Sequence, residues 1–180
     1  MDGGQYGPSV RVLYLLRHAK SDWSDPDLYD EDRPLAPRGR KATERMSAFI
    51  TDAGIRPALV LCSPALRTRQ TLDGIAGALG DEADVWMEDA LYGAGANELR
   101  ERLRHLPPAV PSVMVIAHNP GLQDLALGLA GGGDEGAVAR MGEKFPTAAL
   151  ATLHIPGGWK SLKGGAATVT AFVVPKALPE

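Results

Sequence analysis

Three short runs of this chain are almost continuously apolar: 10–16 (VRVLYLL), 58–63 (ALVLCS) and 112–117 (SVMVIA). Runs of this length, rich in Val, Ile and Leu and lacking polar alternation, form strands buried on both faces. Such strands belong to a parallel sheet covered by helices. The intervening segments carry helical spacing. Within 38–54, Ala42, Met46, Phe49, Ile50 and Ala53 recur at helical intervals, and Gly54 supplies a stop. Within 64–79, Leu72, Ile75, Ala76 and Leu79 form a stripe closed by Gly80. A third helix is predicted from Asn97 and must end before Pro107 and Pro108. A fourth covers roughly 120–130, with Leu122, Leu125, Ala126 and Leu129 inward. The runs 149–155 and 168–174, joined by the turn-rich PGGWKSLKGG, predict a final antiparallel pair. The alternation predicts an α/β fold: a single-domain, three-layer α/β/α sandwich whose mostly parallel central sheet carries helices on both faces. That domain spans 10–175, between a disordered lead-in at 1–9 and a short tail at 176–180, and 180 residues can bury a full core.

The strand ends carry the chemistry. The first delivers Arg17 and His18 side by side. The second runs into SPALRTRQT, where Ser63 suits an N-cap, Pro64 a first helical residue, and Arg67 falls in the first turn. The third runs into HNPGL, where Asn119 and Pro120 repeat the cap and proline just after His118. Helix N-termini favour anions, and ligands of open α/β sheets bind at the carboxyl ends of the strands. Arg17, His18, Arg67 and His118 are therefore expected to converge on a dianion, with phosphate the obvious one. Each residue alone has an ordinary reading as packing or solvated charge; the conjunction is what points to a site. An arginine beside the positive end of a helix dipole is poorly placed, which hints that Arg67 has another partner. His105 fits a helix C-terminus, and His154 is expected to pack within its strand.

Other chemistries are excluded on simple grounds. With 19 basic and 22 acidic residues, a net charge of -3, the chain lacks the basic surface of a nucleic-acid binder. No apolar run reaches membrane-spanning length, and MDGGQYGPS has no apolar signal core. Cys62 is the only cysteine, which forbids an internal disulfide and suits a reducing cytoplasm. Four residues separate Cys62 from Arg67, where a cysteine-phosphatase loop needs five, so Cys62 reads as a small buried hydrophobe. YGAGANE and AGGGDEG lack the Lys and Ser/Thr of a nucleotide P-loop and read as turns. No histidine spacing suits zinc and no acidic cluster suits magnesium, so neither metal nor cofactor is expected. The stretch 24–37 has three prolines and no periodicity; a loop of that length is often functional.

LLRHAKSDWS resembles the Arg-His-Gly signature of the histidine phosphatase (phosphoglycerate-mutase-like) superfamily, followed at the same spacing by a tryptophan and a small polar residue. SPALRTRQT resembles its Ser-x-x-x-Arg-x-x-x-Thr segment, and IAHNPG its second histidine motif. DRPLAPRG and the short length resemble the SixA-type phosphohistidine phosphatases. The resemblance implies that His18 is a nucleophile that becomes phosphorylated, that Arg17 and Arg67 hold phosphoryl oxygens, and that His118 donates to them. It matches Ser24 to a position that touches phosphate. It places Asp89, with Glu88 beside it, where relatives carry a glutamate general acid. Ala19 stands where the signature has glycine. The implied activity is removal of phosphate from phosphohistidine on a protein, without a metal. The alternatives are a phosphomonoesterase for a small phosphorylated metabolite and a noncatalytic phosphate-binding module.

Overall fold

Alternate residues of the central strands face two different cores, as a strand buried on both sides requires. The computed structural model describes residues 9–180, so the lead-in expected at 1–9 lies, Ser9 apart, outside the described residues. Seven strands form one sheet: β1 (Val10–Arg17), β2 (Leu59–Cys62), β3 (Asp84–Met87), β4 (Ser112–Ala117), β5 (Ala130–Gly133), β6 (Leu150–Pro156) and β7 (Ala167–Val173). Their order is β3-β2-β4-β1-β6-β7-β5. Only β6 opposes its neighbours, pairing antiparallel with both β1 and β7. The other pairs are parallel.

Leu13 and Leu15 of β1, Leu59 and Leu61 of β2, and Val113 and Val115 of β4 pack under α3 (Ala96–Arg104), α4 (Gly121–Leu129) and α5 (Glu135–Glu143). Leu16, Val60, Met114 and Ile116 face α1 (Pro37–Asp52) and α2 (Leu66–Leu79). Each such side chain, fully removed from water, contributes about 1.5–3 kcal/mol. The expected sandwich and its mostly parallel sheet are what the chain forms. Gly54 and Gly80 end α1 and α2 with φ of 65° and 80°, a region that glycine enters at no steric cost.

Several expectations are corrected. AGGGDEG is not merely a turn: Ala130–Gly133 is strand β5, paired with β7, and α5 follows with Asp134 capping the Ala137 N–H at 2.9 Å. A Cβ on Gly131 would stand 1.8 Å from the Gly165 carbonyl oxygen, so the strand is glycine because two backbones touch there. That composition carries no periodicity to read. Strand β3 was not foreseen either; it is a four-residue edge strand, exposed throughout. Helix α2 starts at Leu66, not at Pro64, because Ser63 is engaged elsewhere. Helix α4 starts at Gly121, although Asn119 Oδ1 still accepts the Gln123 N–H at 3.2 Å. His154 is exposed on β6 rather than packed. Cys62 is fully buried, and burial pushes its thiol up to about 12, out of reach as a thiolate nucleophile.

Because β1, β2 and β4 run parallel, they end at one edge of the sheet: Arg17 lies opposite Ala117, and Cys62 opposite Ile116. The next residues of each strand emerge together.

Candidate active site

His18, Ser63 and His118 are the first residues beyond β1, β2 and β4, and Arg67 is the second residue of α2. The two imidazole rings stand 5.3 Å apart between centroids. His18, Arg67 and His118 are all buried. Sequence reasoning brought Arg17, His18, Arg67 and His118 to one sheet edge, and the structure puts them there.

His18 is held by its Nδ1, which lies 2.8 Å from the Ala19 carbonyl oxygen. A carbonyl only accepts, so Nδ1 carries the proton and the neutral ring keeps its lone pair on Nε2. Burial lowers the His18 pKa to about 3, helped by His118, Arg67 and Arg17 and opposed by the Ala19 carbonyl. Its backbone is fixed as well. The His18 N–H donates to the Ala117 oxygen at 3.2 Å, and the Ala19 N–H to Thr71 Oγ1 at 2.9 Å. Ala19 is completely buried, so the Cβ it adds to the signature is accommodated by packing.

His118 meets Ser63 Oγ through Nε2 at 2.7 Å, while its Nδ1 lies 3.5 Å from Arg67 Nη2. Burial and Arg67 lower its pKa to about 4, against the pull of Asp30. Ser63 therefore orients the second histidine rather than capping α2. Thr71 Oγ1 donates to the Arg67 carbonyl at 2.7 Å and so ties the first turn of α2 to the end of β1. Arg17 Nη1 donates to the Phe145 carbonyl at 2.9 Å, which aims its guanidinium. Desolvation, then Arg67, lowers the Arg17 pKa, a sign that the two guanidiniums crowd one space.

Two residues in contact with the cluster escaped the sequence. Asp30 receives Arg67 twice: Nη1 at 2.6 Å on its carbonyl and Nη2 at 2.9 Å on Oδ2. Tyr92 donates its hydroxyl to the same Oδ2 at 2.6 Å and sets its ring edge-on to His118, 5.6 Å between centroids. Asp30 opens the 3-10 turn Asp30–Asp32 inside the loop read as aperiodic. That loop is tied down: Arg33, buried beneath it, donates to the Asp25 and Leu28 carbonyls and lies 4.1 Å over the Trp23 ring. Six acids crowd 22–32, and nothing in the sequence marks which one turns inward.

The remaining candidates lie apart from the cluster's hydrogen bonds. Ser24 is exposed, and its N–H donates to Asp22 Oδ1 at 2.8 Å. Asp89 is exposed at the start of the turn Asp89–Leu91, and its carbonyl accepts the Tyr92 N–H. Glu88 is taken by Arg102, at 2.8 Å to Nε and 2.5 Å to Nη2. Among the described residues, no group of three or more His, Cys, Asp or Glu is placed to hold a metal ion, and no helix is long and apolar enough to cross a membrane.

The family model of the histidine phosphatase superfamily, branch 1, matches residues 13–111. The chain belongs to that superfamily. An uncharacterised protein of Mycobacterium tuberculosis, Rv1276c, is 36% identical over 163 residues, covering 89% of this chain and all of the relative. A candidate phosphohistidine phosphatase, SixA from Nakamurella multipartitia, superposes with a TM-score of 0.79 at 30% identity, over 95% of this chain and 99% of that one. The protein histidine phosphatase SixA complexed with tungstate matches the fold with a TM-score of 0.74 at 23% identity, over 92% of this chain and 97% of that one. This histidine phosphatase is thus of the SixA type, and its membership supports a phosphatase activity.

Proposed function

We propose that the protein is a metal-independent phosphatase that works through a phosphorylated His18 and removes phosphate from phosphohistidine on a protein. The observation that carries this reading is the state of His18: neutral, fixed through Nδ1, with the Nε2 lone pair free among cationic and donor groups. A neutral imidazole can attack phosphorus, and a rigid one pays little to align. Arg17 and Arg67 would neutralise the equatorial oxygens as the phosphoryl group transfers, the largest catalytic contribution in such sites. Arg67 Nη2 can only donate, so His118 accepts through Nδ1 at 3.5 Å and its Nε2–H donates to Ser63 Oγ at 2.7 Å. A phosphoryl oxygen arriving beside them would take the Arg67 donor, and His118, once protonated at Nδ1, would donate to it as well. Positive charge comes from side chains, so no divalent ion is required. Ser24 and Asp89 would join only as a substrate brings the surrounding loops inward.

Protein-borne phosphohistidine is favoured over a small metabolite because imidazole leaves readily without a dedicated carboxylic acid, whereas an alkoxide does not. Glu88, the carboxylate next to the relatives' acid position, is committed to Arg102. Rapid quench with a radiolabelled phosphohistidine protein, run in EDTA, should trap an acid-labile, base-stable adduct on the peptide containing His18. Labelling of Cys62 or Ser63 instead, or a strict need for a divalent ion, would overturn the mechanism.

A further inference from the structure

The Arg67–Asp30 pair is an odd feature for a phosphate site. A carboxylate occupies the guanidinium that should greet an anion, at a cost to phosphate affinity. Asp30 is nevertheless held there from three sides. Arg67 grips its backbone and its side chain, Tyr92 donates to Oδ2, and the Arg33 N–H donates to its carbonyl. Both side-chain bonds fall on Oδ2. Oδ1 has no hydrogen-bond partner among the described residues, and the side chain is 46% exposed. One carboxylate oxygen is thus anchored beside Arg67 and the other is left without a partner on a half-exposed side chain. The Tyr92 bond and Arg67 also hold the acid below the ordinary carboxylate range. An acid held ionised cannot give a proton to a leaving alkoxide, but it can accept a hydrogen bond.

We propose that Asp30 selects phosphoryl groups carried on nitrogen, its free carboxylate oxygen accepting the N–H of a protonated imidazole leaving group. This rests on the phosphohistidine reading above and names the residue that enforces it. In the step, His18 Nε2 forms a bond to phosphorus while the P–N bond of the substrate breaks. The electron pair of that bond stays on the departing nitrogen. The substrate ring, protonated on its other nitrogen, leaves as neutral imidazole with that N–H still directed to Asp30. No proton comes from the protein. Water then displaces His18 from phosphorus, its proton passing to solvent. A p-nitrophenyl ester has no N–H to offer and leaves as an anion, which Asp30 repels.

The cost of holding Arg67 falls on both substrates alike, since both present the same phosphoryl group. The ratio of their kcat/KM values therefore isolates the leaving-group effect. For Asp30→Asn, the ratio for free phosphohistidine over p-nitrophenyl phosphate should fall on the order of 10-fold or more, the scale of one charge-assisted hydrogen bond. Any change in the hold on Arg67 enters both kcat/KM values alike and cancels in the ratio. Glu31→Gln, the same charge change on the exposed neighbour, should leave the ratio within about two-fold, because an exposed charge is screened. An unchanged ratio in Asp30→Asn, equal losses on both substrates, or the same drop in Glu31→Gln would overturn the role of Asp30. If the native enzyme turns over p-nitrophenyl phosphate but no phosphohistidine, the proposed function itself fails, and this inference with it.

Discussion

Arg67 and Arg102 each hold a carboxylate, and the two pairs live in different company. Arg102 binds Glu88 through two nitrogens, with its guanidinium 5.8 Å from the centre of the Trp86 ring. Each charge there has its match, and the pair joins the end of β3 to α3. Arg67 meets Asp30, but Arg17 and two histidines crowd the same space. One carboxylate cannot balance two guanidiniums, so donors are left over. A matched arginine is structural; an arginine in surplus is available to an anion. Burial sharpens the contrast, because Arg67 is 8% exposed and the positive charge that it and Arg17 leave beyond the one Asp30 carboxylate is poorly screened.

The sharpest way to break this comparison is to truncate both arginines. Arg67→Ala should lower kcat on p-nitrophenyl phosphate by about 10²-fold or more, as removing an oxyanion donor does. Arg102→Ala should leave kcat within a few-fold. Similar mild losses would mean that surplus charge carries no catalysis.

A smaller effect concerns pH. His18 and His118 stay neutral in the fold down to about 3 and about 4, whereas an unfolded histidine protonates near 6.5. Between those values the unfolded chain binds more protons, so the stability is fully present above pH 6.5 and drains as pH falls toward 4. The melting temperature should drop between pH 7 and pH 4.5. His18→Asn, which cannot titrate, should show a shallower drop. Parallel slopes would show that the ring is not held neutral by its surroundings.

The smallest effect belongs to the matched pair. Arg102→Ala should cost about 1 kcal/mol or less in urea unfolding, since a partly exposed ion pair is worth little. A cost several times larger would make the Glu88 pair a keystone of the edge strand rather than a local tie.

Local pattern was enough to find the sandwich and four of the site residues. The runs at β1, β2 and β4 are apolar on both faces, which only a covered parallel sheet tolerates, and parallel strands must end at one edge. Whatever follows Arg17, Cys62 and Ala117 is therefore brought together before any side chain is placed. Strands β3 and β5 escaped because they lie at the sheet's edges. There one strand is exposed and the other is made of glycines, so neither needs an apolar pattern.

The sequence by itself determined the pedestal and the cationic groups on it, because burial of a two-faced sheet leaves a periodicity that one segment displays alone. Only the tertiary structure decided how those groups are tuned. Ser63 serves His118 instead of a helix cap, Thr71 reaches back to Ala19, and Asp30, one acid among six in its loop, is the one that Arg67 and Tyr92 hold. These are pairings between residues far apart in the chain, set by which donor faces which acceptor across a gap of about 3 Å. No period or spacing within a single segment records such a match; it exists only once the loops have closed over the sheet edge.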